Sequence, residues 1–327
     1  MKQLIENFPQ QLETAIQIGK SAKLSFRIQA FTQVSISGLG GSGIGASIVQ
    51  DYMFDKATIP FVINKHYFIP KNVNDTTLFI ACSYSGNTEE TLNAVKLAHK
   101  QNANIVCITS GGELASFAKK HKLNLILIPG GNPPRACLGY SLVQILFVLK
   151  KVKLIKANIT NEISDSIKWI ISSRKSIQNI ALKISQKLIN KQVAIYTTVG
   201  HEGLAIRFRQ QLNENSKILA WHNIIPEMTH NEIVGWRHSN ESVATICCHF
   251  EDDYDRNITR LKVLKNVIKN YNTNITDLNI KGKNYWEQAF YFIHLTDWIS
   301  VYLADANGHD TAEVKVIDHL KETMSKK

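Results

Sequence analysis

The runs Thr77-Leu78-Phe79-Ile80-Ala81-Cys82, Asn104-Ile105-Val106-Cys107-Ile108 and Leu125-Ile126-Leu127-Ile128 are apolar at nearly every position, without the in-and-out alternation of a half-exposed strand. Strands of that kind need apolar partners on both faces, which implies a parallel sheet with helices on either side. The intervening segments have helical periodicity, from Ile44 to Phe54 and from Thr88 to Gln101, where Leu92, Val95 and Leu97 are among the apolar positions. The predicted class is therefore a doubly wound α/β fold. In such sheets right-handed crossovers place ligands at the carboxyl ends of the strands, so loops that directly follow strands are where chemistry belongs.

A chain of 327 residues suits two domains of roughly 150 residues each. A helical segment at about 10–29 precedes strand Val34-Ser35-Ile36-Ser37, and a short run, Phe61-Val62-Ile63, follows the first turn. A helix at about 136–150 leads into a lysine-rich helical bridge reaching about residue 190. The pattern then restarts with strand Val193 to Thr197, helix Gly203 to Leu212, strand Ile218 to Ala220 and strand Ser242 to Phe250. Helices at about 255–270, 285–306 and 312–325 complete it. The expected division is 1–153 and 154–327, each part a mainly parallel sheet flanked by helices.

Composition removes several classes of function. Hydrophobic residues at 44% and charged residues at 20% are far from the signature of a disordered chain. Met1 is followed by no apolar stretch behind a basic start, and the run Ala136 to Leu149, interrupted by Gln144, falls short of the roughly 18 residues a membrane span needs. Five cysteines without CxxC or zinc-type spacing predict reduced, buried thiols in a cytoplasmic protein that binds no metal. The net charge of +11 comes from lysines scattered singly or in pairs, which argues against nucleic acid and leaves a positive field that would collect a phosphorylated metabolite.

Two turns stand out. Gly38-Leu39-Gly40-Gly41-Ser42-Gly43-Ile44-Gly45 lies between a strand and a helix, where glycines let the backbone approach a ligand and helix-start amides attract an anion. It also fits the dinucleotide pattern GxGxxG, but that site wants a carboxylate after the second strand. Here Phe61-Val62-Ile63 is followed by Asn64-Lys65-His66, so a nicotinamide-dependent oxidoreductase is the weaker reading. The second turn, Ser83-Tyr84-Ser85-Gly86-Asn87-Thr88, groups three hydroxyls at the start of a helix and suits a phosphate monoester. Thr88 taken alone would be a helix cap, with Glu89 and Glu90 in the favoured first turn.

The Ser-x-Ser-Gly-x-Thr turn resembles the sugar-phosphate loop of the SIS superfamily. Three further segments narrow the likeness to its bifunctional phosphoglucose/phosphomannose isomerase branch: Pro134-Arg135-Ala136 with Gly139-Tyr140, Asn213-Glu214-Asn215, and Pro226-Glu227-Met228-Thr229-His230-Asn231-Glu232-Ile233-Val234-Gly235-Trp236. The resemblance implies two SIS-type domains and a cofactor-free, metal-free, reversible isomerisation of fructose 6-phosphate with glucose 6-phosphate, extending to mannose 6-phosphate. Gly41, Ser42, Ser83, Ser85, Thr88 and Arg135 are then the substrate-binding positions. Moving a proton between C1 and C2 requires a base, a ring-opening group and a cation facing the oxyanion. The resemblance assigns these to Glu214, to His230 donated across a homodimer, and to Arg135, whose guanidinium holds its charge.

The C-terminal stretch Asp310-Thr311-Ala312-Glu313-Val314-Lys315-Val316-Ile317-Asp318-His319-Leu320-Lys321 departs from the family pattern. His319 falls where a ring-opening lysine is expected, and Thr311 or Ala312 where a threonine thought to permit mannose use is expected. Lys321 is the fallback, about 200° around the helix from His319. Two other readings differ in class: a non-catalytic sugar-phosphate-binding regulator, and an amino-sugar isomerase. A regulator would be expected to add a DNA-binding or partner domain, for which there is no spare segment, and the glutaminase-linked amino-sugar enzymes carry a cysteine directly after Met1, where Lys2 stands.

Overall fold

Two of the three bare apolar runs become interior strands whose two faces feed two different cores, and the third, at 125–128, becomes most of an edge strand. In a computed structural model, which describes residues 1–28, 30–238 and 241–325, the first sheet contains β1 (Gln33–Ser37), β2 (Phe61–Asn64), β3 (Thr77–Cys82), β4 (Asn104–Thr109) and β5 (Asn124–Leu127). Their order is β2-β1-β3-β4-β5, and every pairing is parallel. Leu78, Ile80 and Cys82 of β3 point into the core between the two sheets, while Phe79 and Ala81 point into the outer one. The chain leaves β1 for one side, then crosses to β3 on the other. The switch point of strand order thus lies between β1 and β3, where ligands are expected.

The second sheet repeats this plan without a fifth strand. It contains β6 (Gln192–Thr198), β7 (Ala220–Ile225), β8 (Val243–His249) and β9 (Ile275–Asn279), in the order β7-β6-β8-β9, again all parallel. The helices are α1 (Lys2–Glu6), α2 (Phe8–Ser21), α3 (Gly40–Met53), α4 (Glu89–Lys100), α5 (Gly112–Lys120), α6 (Leu138–Lys151), α7 (Ile159–Lys187), α8 (Glu202–Glu214), α9 (Asp255–Lys269), α10 (Tyr285–Ala306) and α11 (Lys315–Ser325). Among the described residues, none of them is long and apolar enough to cross a membrane.

Four elements differ from the sequence expectation. The first helical segment begins at Lys2 and ends at Ser21 rather than near residue 29. α5 was not anticipated, its short apolar face being Leu114, Ala115 and Ala118. β7 lies at Ala220–Ile225 rather than Ile218 to Ala220, and β9 was missed. Both are edge strands. An edge strand tolerates residues such as His222, Asn223, Asp277 and Asn279, so the bare apolar signature of a central strand does not apply.

The two sheets meet through α3 and α8. The start of α8 packs closely on α3: a Cβ on Gly203 would come within 2.7 Å of the Ile48 nitrogen, so only glycine permits this approach. Beside it, the Gly203 N–H donates to Asp51 Oδ2 at 2.6 Å. Burial in this seam pushes the Asp51 carboxyl up from 3.8 to about 6, against the lowering effects of Gly203 and His201. A raised native value means that the folded chain holds this proton more tightly than the unfolded one. The contribution is fully present below about pH 4 and is lost as pH rises through about 6. In denaturant unfolding between pH 4 and pH 7, wild type should therefore lose about 2 kcal/mol relative to Asp51→Asn; parallel pH profiles for the two proteins would rule this out.

Candidate active site

The loops after β1 and β3 emerge side by side at the switch point. The Tyr84 N–H donates to Ser42 Oγ at 2.8 Å, which fixes one loop to the other and leaves the Ser42 proton free to reach an oxygen acceptor. Ser83 is buried, Thr88 half-buried and Ser85 exposed, so the three hydroxyls run from floor to mouth. Thr88 does not cap α4 with its side chain; its hydroxyl pairs with Ser83 Oγ at 2.9 Å. The first-turn amides of α4 are thereby left pointing into the loop. Gly41, Ser42, Ser83, Tyr84 and Pro134 line a small cavity of about 10 Å³.

The same cavity is closed by a short 3-10 turn, Pro134–Ala136. A Cβ on Gly41 would lie 2.9 Å from the Pro134 carbonyl and 3.0 Å from the Arg135 nitrogen, so glycine is needed to bring these backbones together. Arg135, 4% exposed, extends from this turn to the end of α8. Its Nη1 lies 3.4 Å from Glu214 Oε2, and its Nε donates to Asn215 Oδ1 at 2.8 Å. Its Nη2 donates to the carbonyl of Thr311 and, at 3.5 Å, to that of Ala312. The guanidinium, a carboxylate and the C-terminal strap are thus gathered beside the hydroxyl-bearing loops.

Several residues that sequence reasoning missed hold this arrangement. Arg207 Nη2 donates to the Arg135 carbonyl at 2.7 Å and pairs with Asp297 of α10 at 3.1 Å. Gln211 Nε2 donates to the same Asp297 at 2.7 Å. Asn215 Nδ2 donates to Ser300 Oγ at 3.0 Å, so the side chain next to Glu214 is fixed at both ends. Lys217 donates to the carbonyls of Glu214 and Glu313 at 2.6 and 2.7 Å. Desolvation, then repulsion from Arg135, lowers its pKa. Arg207 and Gln211 fall on the buried face of α8, a signal available in the sequence as charged or amide residues at core spacing.

Other expected site residues lie apart. His230 is exposed on the 3-10 turn Glu227–His230 that follows β7, whereas Glu214 precedes β7. A six-residue strand spans about 20 Å, so β7 separates the two within one chain. Thr311 reaches Arg135 through its carbonyl. His319 and Lys321 sit exposed on α11, outside the hydrogen bonds that join Arg135, Glu214 and Asn215. An open cavity of about 600 Å³, lined by Lys191, Gln192, Leu219 and His309, contains none of these side chains. Among the described residues no cluster of His, Cys, Asp and Glu is arranged to hold a metal ion, and all five cysteines are free and buried.

Two tandem parallel sheets of this order, with a hydroxyl-bearing turn at the switch point of the first, define a protein of the SIS class. Residues 30–149 match the family model described as the SIS domain, and residues 177–324 match the bacterial phospho-glucose isomerase C-terminal SIS domain. The C-terminal domain of glucosamine-fructose-6-phosphate aminotransferase from Francisella tularensis has the same fold, with a TM-score of 0.79 at 16% identity over 95% of this chain and 97% of that one. The chain is 36% identical to the bifunctional phosphoglucose/phosphomannose isomerase of Caldicellulosiruptor bescii over 99% of both, and 32% identical to that of Aquifex aeolicus over 88% of this chain and 89% of the other. It belongs to the bifunctional phosphoglucose/phosphomannose isomerase family.

Proposed function

We propose that the chain interconverts fructose 6-phosphate with glucose 6-phosphate and mannose 6-phosphate by proton transfer through an enediolate. The observation that carries this reading is the Arg135–Glu214 pair at 3.4 Å, set beside the cavity lined by Gly41, Ser42 and Ser83. Ser83, Ser85, Thr88 and the start of α4 hold the phosphate, and Gly41 and Ser42 meet the sugar. Glu214 takes the proton from C2 of the aldose and returns it to C1. Arg135 faces the oxygen that becomes negative and cannot surrender a proton to it. Thr311, next to Arg135, is the position for tolerance of the C2 epimer.

Ring opening requires a further proton-exchanging group, which we assign to His230 of a second subunit in a homodimer. Strand β7 stands between His230 and Glu214 within one chain, and the exposure of His230 suits delivery to a neighbour. His319 is the second candidate, with Lys321 as the alternative; both would meet substrate only from the rim. We place the domain division near residue 153, in the loop between α6 and α7. Free, buried thiols support a reducing, cytoplasmic setting.

Incubation with fructose 6-phosphate, with and without chelator, should yield both aldoses at the same rate in either case. Binding without turnover would replace the isomerase by a sugar-phosphate-binding regulator. Sharing between subunits has its own check. Glu214→Ala and His230→Ala chains, each retaining only a small residual activity, should recover about one quarter of wild-type activity when unfolded together and refolded as a mixture, because half the dimers then carry one intact site. No recovery in verified mixed dimers would place both residues in one chain.

A further inference from the structure

We propose that Glu232 is a positioning residue for His230, fixing the segment that carries it onto the second sheet. The inference rests on the assignment of His230 to ring opening. His230 is exposed, so its direction depends on how the segment around it is anchored. Two residues on, Glu232 Oε1 accepts from Tyr196 Oη at 2.5 Å and from Trp221 Nε1 at 2.9 Å, and its Oε2 accepts from Asn223 Nδ2 at 2.6 Å. The donors belong to β6 and β7, so one carboxylate spans two neighbouring strands. Tyr196 Oη in turn accepts from Trp236 Nε1 at 2.9 Å, which ties the far end of the segment to the same hub.

Apolar anchors flank it: Met228 is fully buried and Trp236 nearly so. Asn231, between His230 and Glu232, accepts from the Glu232 N–H at 2.6 Å and donates to Glu227 Oε1 at 2.7 Å. The three bonds all require the Glu232 side chain as acceptor, on both of its oxygens. Glutamine at this position keeps the size but turns an N–H₂ toward donors that need an acceptor. The turn would still form around Met228 and Trp236, with His230 no longer aimed. Displacements of that kind, on the order of 1 Å, cost about 10²-fold in rate.

Glu232→Gln is therefore expected to lower kcat for fructose 6-phosphate by about 10–100-fold with KM within about twofold, because phosphate binding is untouched. Asn223→Ala, which removes one donor and leaves the carboxylate, should show a smaller kcat loss of the same kind and serves if Glu232→Gln does not fold. In a double-mutant cycle, Glu232→Gln should add nothing once His230 is alanine. A folded Glu232→Gln enzyme with wild-type kcat, or one whose loss adds in full to that of His230→Ala, overturns the positioning role. If His230→Ala itself turns over normally, the assignment of His230 fails first and the proposal falls with it.

Discussion

Glu214→Gln is expected to lower isomerisation of fructose 6-phosphate by about 10²–10⁴-fold, the range that a positioned general base contributes, while substrate affinity changes only a few-fold. Glutamine keeps the length of the side chain and an oxygen to accept from Arg135 Nη1, so the guanidinium stays aimed. What is lost is the atom that takes the proton. The two quantities separate because the hydroxyls that would hold phosphate, on Ser83, Ser85 and Thr88, lie in another loop from Glu214. Turnover in pre-steady-state mixing, alongside fructose 6-phosphate affinity by calorimetry, reads both. Near-wild-type turnover in the glutamine variant would remove Glu214 from the chemistry and, with it, the proposed reaction.

Arg207→Met should destabilise the fold by about 3–5 kcal/mol, the loss found when one partner of a buried ion pair is removed. Arg207 and Asp297 are both almost wholly buried, and burial works against each charge while the partner offsets it. Methionine matches the volume of the arginine stem but leaves Asp297 with Gln211 as its remaining side-chain donor. It also frees the Arg135 carbonyl, so activity should fall even in molecules that remain folded. Adding Asp297→Leu should return much of the stability and none of the activity, since an apolar pair can replace a buried ion pair without holding Arg135. A change below about 1 kcal/mol in Arg207→Met would mean that the pair is not holding this seam.

How much of this was legible beforehand depended on burial. β3 and β4 were evident because central parallel strands must be apolar on both faces, and the loops after β1 and β3 followed from the rule that ligands gather at strand ends. β7 and β9 were misplaced or missed because edge strands obey a looser rule. Arg135 and Glu214 could be nominated from the motifs that carry them. Asp297, Ser300 and Lys217 could not, and although Arg207 stands at core spacing, nothing in a linear sequence says that it ends beside Arg135 and pairs with Asp297 of α10.

Thr88 illustrates the remaining gap. Taken alone, its place ahead of Glu89 and Glu90 suggests a side-chain helix cap, yet its hydroxyl turns to Ser83 in the same turn. His230 illustrates it at larger scale. From residue order alone it could have joined Glu214 in one chain, and only the direction of β7 separates them.

The order of strands and helices, the family and the chemical character of the loops are properties of local pattern, because periodicity, glycine placement and hydroxyl spacing act over a few residues. The pairing of Arg135 with Glu214 and the seam at Asp51 arise from contacts between residues far apart in sequence. Those geometries exist only after two sheets have packed against one another, when distance in space no longer follows distance along the chain.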